Sequence, residues 1–186
     1  AIGRDLSATG RGLLLGNPHY PWHGASRFHM IHLTLPGELD VMGASLLTTN
    51  RVAIGFNKDI AWTHTVSTAK RFTLYRLTLN PNSPYEYLYD GAYRPMEKRS
   101  VTVSVPGDDG ALKTEVHETY FTHYGPVVES EALAWKNGVA FAMRDAMIDI
   151  YLTAATYDAL GKATSTADIE AAISQQGVYW TNTVAA

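Results

Sequence analysis

Four of the chain's seven histidines fall within NPHYPWHGASRFHMIH, residues 17–32. Imidazoles so close in sequence can serve a metal, a nucleophile or plain packing. His19 and His23 have HxxxH spacing, which on a helix places both rings on one face beside one zinc ion. Pro18 and Pro21 bracket His19, and proline lacks the N–H that a helix interior needs, so that motif is excluded. His29 and His32 lie in a β-compatible run, where residues three apart point to opposite faces and cannot chelate together. The chain has no HExxH and no cysteine. No metal site is assigned, and no cofactor is implied. His23, His29 and His32 read as partly exposed polar positions. His19 differs, because two prolines stiffen its turn.

A nucleophile is equally hard to find. No GxSxG elbow occurs. Ser67 and Lys70, in STAK, have the SxxK spacing in which one helical turn sets a lysine beside a serine. Neither SDN nor KTG accompanies them, and the segment reads as strand, which would separate the two side chains. A serine β-lactamase-like reading is set aside on that ground.

The elements that must hold these residues are mostly strands. RGLLLGN, RFHMIHLTLPG, LDVMGASL and RVAIGFN are short apolar runs closed by turn signals. AWTHTVSTAKRFTLYRLTL is read as one long segment, with period-2 alternation from Phe72 to Leu79. YEYLYDG, RSVTVSV, the turn PGDDG, LKTEVHETYF, HYGPVV and GVAFAMRD continue the pattern. After Asp145 the period changes. Ile148, Tyr151, Leu152, Ala155 and Ala159 have helical spacing, with Gly161 placed to end the helix. Ser165 and Asp168 form a capping box for a second helix, and VYWTNTVAA closes as strand. Strands followed by a helical pair argue for an α+β fold.

The 186 residues allow one core, and 1–186 is read as a single partial domain without repeat or linker. Hydrophobic content of 46%, 18% charged residues and a net charge of -3 describe a globular chain with no electrostatic case for nucleic acid. No stretch approaches the ~20 apolar residues of a membrane span. The chain begins at Ala1, not Met, and stops inside an apolar run. Both features read as those of a fragment.

LLLGNPHYPWHGASRFHMIHLTLPGELDVMGASL, IGFNKDIAWTHTVSTAKRFTLYRLTL, YGPVV and MRDA together resemble the β-chain start of the penicillin-acylase-type N-terminal-nucleophile hydrolases. Within that family the text is most similar to the acyl-homoserine-lactone and aculeacin acylases. The resemblance implies part of an αββα sandwich and a precursor cleaved into α and β chains, the α chain being the partner. It also implies a nucleophilic serine four positions before Ala1, whose own α-amine, with a pKa of about 8, acts as base. His19 matches the histidine beside that nucleophile. Val66 matches an oxyanion-hole position acting through its backbone N–H, while the second donor, an asparagine, lies beyond Ala186; Asn182 is not assigned. Tyr20, Phe28, Leu46, Ile54, Trp135 and Trp180 match acyl-pocket positions. Arg51 and Ala53 depart from the lactone acylases, and an arginine near an acyl tunnel is expected to shorten it or bind a polar group. Calcium occurs in some members, but no ligand set is visible here.

The implied function is amide hydrolysis, with deacylation of N-acyl-homoserine lactones, related acyl amides or penicillins with aliphatic side chains. The implied location is periplasmic or secreted. Residues 1–186 alone are expected to be inactive. The alternative is a non-catalytic module binding acyl chains or peptides on the same fold.

Overall fold

The computed structural model describes all residues, 1–186, and these divide into two compact units. Residues 1–69 with 149–186 form the first, and 70–148 form the second. The expectation of one domain had no linker to contradict it, since neither seam is rich in Gly, Pro or Ser.

The first unit is built on a five-stranded antiparallel sheet. Its strands are β1 (Phe28–Leu35), β2 (Leu39–Leu46), β3 (Ile54–Phe56), β4 (Ala61–Val66) and β12 (Thr181–Ala185), in the order β1-β2-β3-β4-β12. Two helices, α1 (Thr153–Lys162) and α2 (Thr166–Ser174), pack against it. Trp62 is the centre of this core. It is 1% exposed, and its indole N–H donates to the Ala53 carbonyl at 2.9 Å. Val41, Ile60, Tyr157, Leu160 and Ile169 surround it. Gly43 and Gly55 face each other across β2 and β3, with Val52 lying over both. A methyl on Gly43 would run into the Gly55 Cα at 2.5 Å.

The second unit is a seven-stranded antiparallel sheet. It contains β5 (Phe72–Asn80), β6 (Ser83–Tyr89), β7 (Ala92–Pro95), β8 (Glu97–Pro106), β9 (Leu112–Thr122), β10 (Gly125–Val128) and β11 (Val139–Asp145), in the order β7-β6-β5-β11-β10-β9-β8. Asp90 and Gly91, both at positive φ, make the two-residue turn joining β6 to β7. Gly107 to Ala111 turn the β8–β9 ribbon, as the PGDDG signal implied. Leu77, Leu79, Tyr87, Ala140 and Ala142 form the core.

The α+β class stands, with a helix pair on one sheet. Several sequence expectations are corrected. RGLLLGN is not a strand; its only ladder contact is an isolated bridge from Leu13 to Ile2. AWTHTVSTAKRFTLYRLTL is two strands in two sheets, because Ser67–Arg71 leaves the ladder. Ser67 and Lys70 therefore lie in neither strand nor helix, and the Ser67 hydroxyl accepts from the Ala69 N–H at 3.1 Å. The first helix starts at Thr153, and its buried face is Thr156, Tyr157, Leu160 and Gly161. Ile148 and Tyr151 are exposed. Gly161 does not cap this helix but lies within its last turn, where an added Cβ would meet Leu39 at 3.3 Å. Its smallness lets α1 approach β2. The second helix is capped as expected: the Ser165 hydroxyl accepts from the Asp168 N–H at 3.2 Å and donates to its carboxylate at 2.9 Å.

Candidate active site

In an antiparallel sheet, strand starts and strand ends alternate along each edge. Phe28 starts β1, Leu46 ends β2, Ile54 starts β3, Val66 ends β4 and Thr181 starts β12. All five therefore reach the same end of the first sheet, and all five line one cavity there, of about 380 Å³. Asn17, Pro18, His19, Tyr20, Ala53, His64, Thr65, Tyr157 and Trp180 complete it. Apolar and aromatic side chains with a few polar groups are the usual lining of a small-molecule site. A larger groove of about 520 Å³, rimmed by Glu38, Asp40, Lys58, Asp59 and Lys162, is charged and shallow and holds none of the expected residues.

Seven of the eight residues singled out from sequence thus meet: His19, Tyr20, Phe28, Leu46, Ile54, Val66 and Trp180. Trp135 does not line the cavity. It belongs to the second unit, edge-on to Tyr85 at 5.9 Å and Tyr120 at 5.3 Å between ring centres. Its large apolar type suited a pocket and a core equally, and it packs against the second unit's core.

Val66 owes its place to the parity of the ladder. Ser67 N–H donates to Trp180 O at 2.9 Å, and Ala61 exchanges both bonds with Ala186. Odd-numbered β4 residues therefore bond to β12, and the N–H of Val66 points the other way, toward β3. β3 holds only Ile54–Phe56, paired opposite Trp62 and Ala61. No strand reaches Val66 on that side. Its N–H is left free at the cavity wall, the arrangement that an oxyanion donor needs.

His19 is exposed, and its Nε2 lies 3.4 Å from the Asn17 side-chain amide. Tyr20 packs on Phe28 with ring centres 4.7 Å apart. Asn182 donates to the Thr65 hydroxyl at 3.4 Å and does not itself line the cavity. Arg51 is no tunnel group: its guanidinium grips Asp158 on α1 through Nε at 2.7 Å and Nη2 at 3.2 Å. Ala53, the other departure, does line the cavity, at 4% exposure. The remaining histidines do not converge on a metal. His23 is exposed, His29 is half-buried, and His32 pairs with Asp40 at 2.6 Å, holding that carboxyl below its usual range. No group of three or more His, Asp or Glu is placed to hold an ion.

Sequence reasoning missed His64 and Tyr157. His64 is 9% exposed, and its Nδ1 lies 3.0 Å from the Thr183 hydroxyl directly across the β4–β12 pair. Burial lowers its pKa to about 4, so the ring is neutral at pH 7. Its position inside AWTHTV, an apolar strand run, was the available signal. Tyr157 went unnoticed because the helix periodicity was drawn from the wrong face.

Penicillin amidase is the family whose model matches, over residues 1–186. The acyl-homoserine lactone acylase PvdQ of Pseudomonas fluorescens is 46% identical over 100% of this chain and 24% of its own length. Aculeacin-A acylase of Actinoplanes utahensis is 37% identical over 100% of this chain and 23% of its own. A thermostable penicillin G acylase from Alcaligenes faecalis shares the fold with a TM-score of 0.66 at 23% identity, over 85% of this chain and 27% of that one. The chain therefore spans about a quarter of the length of these relatives. A match along its whole length leaves one conclusion: this chain belongs to the penicillin amidase family.

Proposed function

We propose that the protein containing residues 1–186 is an N-acyl amide hydrolase that deacylates N-acyl-homoserine lactones or related lipidic amides. One observation carries this reading: an apolar cavity has His19 and the free N–H of Val66 on its wall. An acyl chain buried there gains about 0.8 kcal/mol per methylene.

In this mechanism an N-terminal serine outside these residues attacks the amide carbonyl. Its hydroxyl proton passes to its own α-amine, and the carbonyl oxygen, now an oxyanion, accepts from Val66 N–H. The C–N bond breaks, the leaving amine takes the proton, and an ester to the serine remains. Water then attacks that ester and releases the fatty acid. His19 orients the α-amine from its proline-stiffened turn. Processing from a precursor, an α chain as partner, and a periplasmic or secreted location belong to the same reading and are supported by the family likeness. No helix here is long and apolar enough to cross a membrane.

The test is to incubate the complete processed protein with N-dodecanoyl-homoserine lactone and measure free homoserine lactone and dodecanoic acid. Release of both in equal amounts supports the proposal. Binding of dodecanoic acid without any release from the lactone would make the protein a binding module instead.

A further inference from the structure

The cavity is not uniformly greasy, and its polar groups are unequal. Asn17 and His19 contact each other, Thr65 accepts from Asn182, and Thr181 donates to the Val178 carbonyl. His64 spends its Nδ1 on Thr183, and its Nε2 is sealed from solvent. Tyr157 alone combines deep burial with an unspent polar atom that is not sealed from the cavity. It is 8% exposed, its ring packs in the Trp62 core, and its hydroxyl forms no hydrogen bond within the chain. That hydroxyl is not among the sealed polar atoms without partners, so the small exposed part of this cavity-lining residue includes it. His64 braces the ring edge-on at 6.1 Å.

We propose that Tyr157 is a specificity residue whose hydroxyl donates to an oxygen carried along the acyl chain, so that hydroxy- or keto-substituted acyl groups are preferred over plain alkyl ones. This deepens the deacylase reading and rests on it. A plain alkyl chain filling the cavity would strip water from the phenol and offer nothing in return, whereas an oxygenated chain restores the bond. Burial pushes the phenol's pKa up to about 12, so it stays a donor throughout the neutral range. Tyr20 also lines the cavity, but at 36% exposure it is far less buried than Tyr157.

The experiment compares the complete processed protein with its Tyr157→Phe variant on dodecanoyl-, 3-hydroxydodecanoyl- and 3-oxododecanoyl-homoserine lactone. The expected result is that the kcat/KM ratio of an oxygenated to the plain substrate exceeds one in the parent and falls about tenfold in the variant, the worth of one neutral hydrogen bond. A ratio unchanged by the substitution overturns the proposal. Calorimetric binding of dodecanoic and 3-hydroxydodecanoic acid to both proteins separates the two claims. Should no lactone be hydrolysed, the deacylase reading fails by itself. A preference for the hydroxy acid that vanishes in Tyr157→Phe still supports the role of Tyr157, and equal or absent binding refutes it.

Discussion

Val66 offers its surroundings a backbone amide, and its side chain is incidental. A substitution pair separates the two. Val66→Ala keeps the N–H and should leave kcat within a few-fold. Val66→Pro removes an N–H that no ladder bond uses, and in the proposed mechanism should lower kcat by about 10²–10³, the cost of one oxyanion donor. Steady-state kinetics on the complete protein, with circular dichroism to confirm folding, check both. His64 makes a pH prediction. Its ring takes a proton near 6.5 when unfolded and near 4 in the fold. Between those values the unfolded chain binds more protons, so stability is whole above pH 6.5 and falls as pH drops toward 4, by up to about 3 kcal/mol. Thermal midpoints at pH 7.5 and 5 should diverge in the parent and converge in His64→Gln. At this scale the likeness to a family pointed at residues that share a cavity, while His64 and Tyr157 escaped because apolar alternation hides a buried polar group.

Elements were legible where the pattern was local. The hairpin β8–β9 and the capping box of α2 could be read directly, since turn chemistry and caps are decided by adjacent residues. The break at Ser67–Arg71 could not, because both flanks are good strands and only tertiary pairing assigns them to different sheets. Gly161 misled for a similar reason: a glycine near a helix end suggests a stop, yet here it admits Leu39. The glycine pair Gly43 and Gly55 makes the sharpest prediction for an element. Gly43→Ala forces backbone apart and should cost roughly 1–3 kcal/mol, seen as a lower thermal midpoint. Ser165→Ala removes the α2 cap and should cost about 1 kcal/mol.

Across the whole molecule, composition and strand count were enough for the α+β class, but the partition into two units left no compositional trace. Contacts between residues far apart in sequence create it, as when 149–186 returns to join 1–69. The cavity side chains also set an expectation for the isolated chain. His19 has Asn17 as its partner and no serine lines the cavity, so purified residues 1–186 should release no acid from an acyl lactone above the buffer rate. Mass spectrometry of an overnight reaction would detect any turnover.

The brevity of β3 has one more implication. What distinguishes this sheet end is an omission, a rung missing from a ladder that otherwise runs complete to Thr181. In the proposed mechanism, an insertion after Asn50 that continued β3 upward would engage the Val66 N–H and lower activity without altering any cavity side chain. The same mechanism requires the Leu47–Val52 bend to stay out of the ladder, however long it becomes.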